Sequence, residues 1–352
     1  MSSHRTRRRF LEATGVASVV ALAGCSGNGG DGGDGGDGGD GGDGSDGSDG
    51  GDGMDGSDGS DGSDGGDTAS RLSWHAGGTG GTYYPLSNEI KTIVEANTDF
   101  SLNVQSTGAS VENVGSLADS SADFALIQND IAYFAKNGTG IETFQDNAID
   151  NLQGVATLYP ETITVVTLED SGIETLSDLS GATINTGDLG SGTQVNANQI
   201  LEAVGITDYN EQNAGFSQAS EQLANGDIDA AFVVGGWPVG AIEDLANTND
   251  VNIVPIAGDN RAAVKDAASW FADDTIPAGT YTGIDEAVET VAVQAMIATH
   301  SGVPADTVET VTAALFDNLG ELSIKTDFIT ADSAQDGMSI ELHEGAAAYF
   351  DA

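Results

Sequence analysis

From Arg71 onward the apolar positions switch repeatedly between two spacings. Leu86, Ile90, Ile93 and Val94 fall at i, i+4, i+7 and i+8, which predicts one buried helix face. Val111, Val114, Leu117 and Ala118 repeat that spacing behind Ser110, a residue suited to an N-cap. Val195, Gln199, Ile200 and Val204 mark a third helix, and Val303–Leu319 a long one with Pro304 in its first turn. Short apolar runs between these segments predict buried strands at Phe124–Ile127, Val155–Leu158, Ile163–Leu168, Ala230–Val234 and Val251–Ile256. Alternation of this kind predicts an α/β fold.

One stretch echoes another. Leu117-Ala118, four residues, then Asp123-Phe124-Ala125-Leu126-Ile127 recurs 106 positions later as Leu223-Ala224, four residues, then Asp229-Ala230-Ala231-Phe232-Val233. Each copy reads as a helix end, a short turn and a buried strand. Gln128-Asn129-Asp130 follows one strand and Gly235-Gly236-Trp237 the other. Two equivalent α/β units imply two lobes whose strand ends face one another. Ligands of open α/β sheets sit beyond such carboxyl ends, so a cleft between the lobes is the expected site. A chance likeness of two generic α/β units stays open at this stage.

Four loops near those strand ends are rich in Gly or polar residues, and each precedes a helix: Gly77–Pro85, Thr107–Asn113, Gln128–Asp130 and Gly190–Thr193. Free N–H groups at helix starts attract anions. Tyr83, Tyr84, Tyr159 and Trp237 lie in or beside these loops and could wall a cleft. The enzyme fingerprints fail. Gly78-Thr79-Gly80 lacks the third Gly of a dinucleotide loop, no Gly-Lys-Ser/Thr is present, and Leu189 spoils Gly-x-Ser-x-Gly around Ser191. His75, His300 and His343 are scattered, which favours neither a zinc site nor a Ser-His-Asp set. His343, just before Glu344-Gly345-Ala346, reads as a packing or capping residue. No cofactor is expected.

Charge narrows the function further. The 352 residues carry 56 acids against 10 bases, a formal net charge of −46. Arg5, Arg7, Arg8 and Arg9 supply four of those bases, and only Arg71, Arg261 and Lys91, Lys136, Lys265 and Lys325 remain beyond them. Nucleic acid is excluded as a partner, since little is left to neutralise phosphate. A carboxylate ligand would have to be met by backbone N–H groups and neutral side chains. Such a surface repels itself in dilute buffer and is relieved by molar salt. The expectation is a protein of a salt-saturated environment, beside the plainer one of an ordinary acidic protein.

The first 67 residues predict an address and a tether. Thr6-Arg7-Arg8-Arg9-Phe10-Leu11, a modest apolar stretch and Leu22-Ala23-Gly24-Cys25 make residues 1–25 an export signal. The arginines resemble a twin-arginine signal, and the last four residues a lipobox in which Cys25, the sole cysteine, is lipidated. Residues 26–67 repeat Asp every third position from Asp31 to Asp67, with Gly after each of the first twelve. Such a composition buries nothing, and 42 flexible residues span about 35 Å. The protein is therefore expected outside the cell, held by lipid on the outer face of the membrane. Asn137-Gly138-Thr139 is a glycosylation sequon in an exported chain.

Ordered motifs from about residue 72 to 350 then carry a resemblance. They are Gly78–Pro85, Ser110–Asn113, Ile127–Asp130, Leu158–Glu161, Asp170–Ile173, Gly190–Thr193, Ile276–Tyr281 and Leu342–Ala346. Together they resemble the TAXI family of solute receptors for tripartite ATP-independent periplasmic (TRAP) transporters, of a haloarchaeal lipoprotein type. Asn129, Ala109, Glu344 and Trp237 depart from the family's usual residues.

The resemblance implies a two-lobed, periplasmic-binding-protein-like fold of type II. Lobe 1 would be 71–160 with 277–352 and lobe 2 161–276. The implied function is a receptor, not an enzyme, that closes on a small carboxylate such as glutamate, glutamine or 2-oxoglutarate. It would pass that solute to permease subunits driven by an ion gradient. Carried over, the ligand set is Thr79, Gly80, Gly81, Tyr84, Ser110, Val111, Gln128, Tyr159, Ser191, Gly192, Thr193 and Trp237. A sensory binding module for a membrane receptor and a secreted hydrolase are the rivals.

The anchor has a direct test. Cys25→Ser should release the protein to the medium or leave an unprocessed precursor, read by fractionation of expressing cells. Unchanged membrane retention would refute the lipid anchor.

Overall fold

The computed structural model describes residues 70–352. The export signal, Cys25 and the 26–67 tether lie outside the described residues. In chain order the first half is β1 (Ser70–His75), α1 (Tyr83–Asn97), β2 (Phe100–Gln105), α2 (Ser110–Ala118), β3 (Phe124–Gln128) and α3 (Asn129–Asn137). The long strand β4 (Leu152–Leu168) follows. The second half is β5 (Thr183–Asn185), α4 (Gly192–Ala203), β6 (Asn210–Gln212), α5 (Phe216–Asn225), β7 (Ala230–Gly235) and α6 (Gly240–Ala246). The chain then runs through β8 (Val251–Val254), α7 (Gly258–Ala267), β9 (Ala272–Ile276), β10 (Val288–His300), α8 (Ala305–Phe316) and α9 (Glu344–Phe350).

The sheet order is β2-β1-β3-β10-β4-β7-β5-β6, which reads as a palindrome about the β10–β4 pair. β1 pairs in parallel with β2 and β3, and β5 in parallel with β6 and β7. β3 lies antiparallel to β10, and β7 antiparallel to β4. The fold is α/β and two-lobed, with each lobe hung on one of the two central strands.

The sequence echo marks equivalent joints. In the first half the Asp123 carboxylate accepts the Ser73 N–H at 2.7 Å, while the Asp123 N–H donates to the Ser73 carbonyl at 3.0 Å. In the second half Asp229 does the same to Thr183, at 2.7 and 2.8 Å. Each aspartate carbonyl also accepts a threonine hydroxyl from a central strand, Thr299 of β10 at 2.7 Å and Thr167 of β4 at 2.8 Å. A short polar side chain at the turn thus satisfies a strand N–H that the ladder leaves free.

Core packing follows the halves. Trp74 and Phe124 stack with centroids 5.6 Å apart, and the fully buried indole donates to the Ser87 hydroxyl at 2.9 Å. Ile90, Val94, Val308 and Leu315 of α1 and α8 close over them. Ile184, Ile200 and Phe232 centre the second core, joined by Val291 and Val293 of β10.

Several elements differ from the sequence reading. The runs Val155–Leu158 and Ile163–Leu168 are two stretches of one strand, β4. Pro160 between them has no N–H to give, and the register against β10 shifts there, opposite Gln294. The Gln294 N–H donates to Asn129 Oδ1 at 3.0 Å. β10 itself carries no turn signals inside its 13 residues and was absent from the expected strands. Ser110 is the first helical residue of α2 rather than its cap. Ala109 holds the cap position at φ +70°, and the Ser110 hydroxyl accepts the Gln128 N–H at 3.2 Å. The long helix is shorter than Val303–Leu319, with Pro304 at its N-cap. His343 does cap α9, accepting the Gly345 N–H at 3.2 Å.

Removing either aspartate bracket orphans a strand N–H. Asp123→Ala and Asp229→Ala should each cost about 1–3 kcal/mol of stability, read as a lower denaturant midpoint.

Candidate functional site

The carboxyl ends of β1, β3, β5 and β7 meet around a cavity. Its wall comprises the loop after β1 (Gly77 to Thr82), the start of α2 (Thr107 to Ser110), Gln128 and Glu161, and the start of α4 (Ser191 to Thr193). Gly215 and Phe216 at the start of α5 and Val234 of β7 complete it, with Asp188 exposed at the rim. The volume open to water centres is about 60 Å³, room for about five waters.

The two halves are closed on one another. Ala241 N–H donates to the Gly80 carbonyl at 3.2 Å, the Thr82 hydroxyl to the Gly236 carbonyl at 3.1 Å, and the Glu112 N–H to the Gly190 carbonyl at 3.3 Å. Asn196 of α4 donates to buried Asp130 of α3 at 2.7 Å. Burial pushes the Asp130 carboxyl up to about 6, against the pull of that amide. Gly192 lies so close to Gln128 that a methyl group there would overlap the Gln128 Oε1.

Four helices start at the cavity wall, with Tyr83, Ser110, Gly192 and Phe216 as their first residues. First-turn N–H groups have no partner inside a helix and carry the positive end of its dipole. No Lys or Arg lines the cavity. Gln128 is 2% exposed, and its Oε1 has no donor among the described residues.

Glu161 is the buried acid of the wall. It is 3% exposed. The Tyr83 hydroxyl donates to its Oε2 at 3.0 Å and the Tyr159 hydroxyl to its Oε1 at 3.3 Å. Burial pushes its carboxyl up to about 8, outweighing the donors Tyr83, Gln128 and Tyr159 that favour the charged form. Burial also raises both phenols, with the Glu161 charge adding to it.

Of the residues singled out from sequence, Gly80, Gly81, Ser110, Gln128, Ser191, Gly192 and Thr193 line this cavity. Five others lie off its wall. Thr79 is exposed, Tyr84 and Val111 pack half-buried against neighbouring clusters, and Tyr159 stands behind Glu161 in the core. Trp237 meets Phe328 edge-on, and its carbonyl accepts from Lys325. The Ser191 hydroxyl is engaged as the α4 cap, accepting from the Gln194 N–H at 3.1 Å and donating to the Asp188 carbonyl at 2.7 Å. Glu161, Thr82, Thr107 and Phe216 are wall residues that the sequence reading did not select. Only the placement of Glu161 in the motif Leu158–Glu161 hinted at it.

Among the described residues no group of three or more His, Cys, Asp or Glu is arranged to hold a metal ion, and no helix is long and apolar enough to cross a membrane.

The buried acid fixes a sign for stability against pH. Folded Glu161 holds its proton up to about 8, while an unfolded glutamate releases it near 4.3. The native state therefore binds more protons in that window, and stability falls as pH rises through it. Glu161→Gln should flatten this fall, so the variant gains on the native protein between pH 5 and 8 in denaturant titrations. Parallel profiles would place the Glu161 proton elsewhere.

Comparison with known proteins agrees with this architecture. A solved chain described as "Structure of a periplasmic transporter" superposes with a TM-score of 0.51 at 12% identity, covering 80% of this chain and 94% of that one. The substrate-binding protein of an amino acid ABC transporter gives 0.43 at 14% identity over 73% and 96%. An ancestral arginine-binding protein bound to arginine gives 0.44 at 13% identity over 74% and 96%. The family model that matches spans residues 75–351, and the chain belongs to the NMT1-like family.

Proposed function

We propose that this protein is an extracytoplasmic solute receptor of a TRAP transporter of the TAXI type. It binds a small carboxylate such as glutamate, glutamine or 2-oxoglutarate and delivers it to membrane permease subunits, without catalysis. The observation that carries this reading is the cavity at the carboxyl ends of four strands, with four helix starts in its wall. Helix N–H groups replace the arginine that such an acidic chain lacks there. Thr193, Gly192, Ser110 and Gln128 are the groups proposed to meet the solute. Ser191 contributes by capping α4, and Tyr159 by holding Glu161. Thr79, Tyr84, Val111 and Trp237 act, in this reading, through the loops and core around the wall.

In this reading the sequence expectation of lobes at 71–160 with 277–352 and at 161–276 is kept as a proposal, with the second crossing moved. Tyr281 and Ile284 pack with Ile276 and Val239, and Val288–Ala292 pairs with β9. We therefore set the second crossing inside β10, near Gln294. Closure is a hinge movement about β4 and β10, and the solute selects the closed state. Export through a twin-arginine route, a lipid on Cys25 and a salt-rich working environment belong to the same reading.

Native mass spectrometry of the purified protein should reveal a co-purifying small carboxylate; recovery of none, with no carboxylate binding by calorimetry, would sink the receptor reading. Gly192→Ala should fold, because alanine suits a helix, yet hold the halves apart at Gln128. Solute binding should weaken by about 1–3 kcal/mol, measured by calorimetry. Unaltered affinity would remove the α4 start from the site.

A further inference from the structure

Where α3 faces α4, two buried acceptors lack a donor among the described residues: Asp130 Oδ1 and Asn196 Oδ1. Asp130 is 1% exposed and Asn196 0%. Neither lines the cavity, and they belong to one pair, since the Asn196 amide donates to Asp130 Oδ2 at 2.7 Å. A carboxyl and a primary amide are planar forks of similar shape. Joined in a shared plane through one arm, they bring their second arms together, and here both second arms are oxygen. With Asp130 ionised, two acceptors stripped of water are left without a donor. One proton on Asp130 Oδ1 supplies the missing donor and satisfies both oxygens.

Resting on the receptor reading above, we infer that Asp130 and Asn196 form a proton-carrying clasp between the lobes: the protonated Asp130 carboxyl donates from Oδ1 to Asn196 Oδ1 while Oδ2 accepts the Asn196 amide, and closure of the receptor takes up that proton from bulk water.

Apolar side chains collar the pair. Phe134, one turn beyond Asp130 on α3, meets Trp270 edge-on with centroids 4.7 Å apart. Ile131 of α3 and Val195 of α4 pack in the same cluster. Gln199 of α4 fixes Trp270 by accepting its indole N–H at 3.2 Å. Asn196 lies one turn after Gly192 on α4. Asp130 is therefore a positioning residue. Through Asn196 it holds the start of α4, with Gly192 and Thr193, against Gln128 at the cavity.

The charged groups on the elements packed against α3 and α4 leave Asp130 without a counter-ion. Glu161 of β4 is near enough to feel the Asp130 charge, which favours its own protonated form. Lys136 of α3 donates to the Asp150 and Leu152 carbonyls. Glu112 of α2 accepts the Gly108 N–H at 2.6 Å. Arg261 and Lys265 of α7 pair with Asp273, and Arg261 also with Glu289 of β10. Glu202 of α4 and Asp259 and Asp266 of α7 are exposed. Burial pushes the Asp130 carboxyl up to about 6, outweighing the Asn196 amide and the backbone N–H groups that favour the ionised form. Exposed in an open cleft, the same carboxyl titrates at about 3.9. A pKa that rises on closing favours the closed state at low pH. The advantage is full below the open-state value and is lost as pH rises through about 6.

The test uses the full protein at high salt, L-glutamate as the solute and Asp130→Asn as the variant. The amide keeps the shape of the acid and can donate to Asn196 Oδ1 with no proton to gain or lose. Calorimetry in buffers of differing ionisation enthalpy counts the protons taken up. At pH 5 the native protein should take up close to one proton more per solute than the variant. The ratio of native to variant affinity should fall about tenfold between pH 5 and 7. Asn196→Asp puts two carboxyls on one proton and should carry the uptake to higher pH, which decides the matter should Asp130→Asn not fold. Denaturant titrations without solute give a separate reading: the native protein should lose stability relative to Asp130→Asn as pH rises from 5 to 7. Equal proton counts and a constant affinity ratio overturn the inference and leave the receptor reading standing. A response to Na⁺ at fixed ionic strength in place of pH puts a cation between the oxygens and overturns it too. Failure of every small carboxylate to bind overturns the receptor reading, and the denaturant profiles then decide the clasp alone, parallel profiles overturning it.

Discussion

The antiparallel pairing of β4 with β10 is the constraint on which the rest of the molecule depends. These two strands, 17 and 13 residues long, are the middle of a palindromic sheet. Every parallel strand of the first half reaches the second only through them. Their pairing fixes the carboxyl ends of β1 and β3 opposite those of β5 and β7. The register shift at Gln294, opposite Pro160, falls one residue before Glu161 on β4. The irregularity in the ladder therefore sits beside the buried acid. A bulge at such a place bends the strand and re-aims a side chain.

The electrostatics of the site run opposite to those of the surface. The surface is crowded with acids, and several of the few cations are committed locally. Arg261 and Lys265 pair with Asp273, with Arg261 also reaching Glu289, while Lys136 donates to the carbonyls of Asp150 and Leu152. The cavity instead uses backbone dipoles, hydroxyls and one carboxyl. Helix starts cost no side-chain entropy and are not sensitive to which counter-ions crowd the exterior. A buried acid in a small space responds strongly to whatever charge enters, because the surrounding protein screens it less than bulk water does.

Contacts across the cleft are both polar and aromatic. Gly80, Thr82, Gly190 and Asn196 make the hydrogen bonds, Phe134 meets Trp270 edge-on at 4.7 Å, and Trp237 meets Phe328. The hydrogen bonds exchange readily with water on opening. Gly192 is an exception in kind. It adds no bond but permits the approach, since any side chain there would meet Gln128.

The residues alone determined the α/β class, the place of α1, β3 and β7, and the twin unit ending in Asp123 and Asp229. These features rest on local periodicity and on short turns, which neighbouring residues decide. The glycine loops around Gly80 and Gly192 were legible for the same reason. Only the tertiary structure decided that two apolar runs form one strand through Pro160, that β10 lies at the centre, and that Trp237 stands off the wall. It also singled out Glu161. One acid among 56 cannot be distinguished by type; burial, two tyrosines brought from positions 83 and 159, and the absence of any nearby cation in the wall are properties of the assembled fold. Long-range pairing sets them, and no local pattern records it.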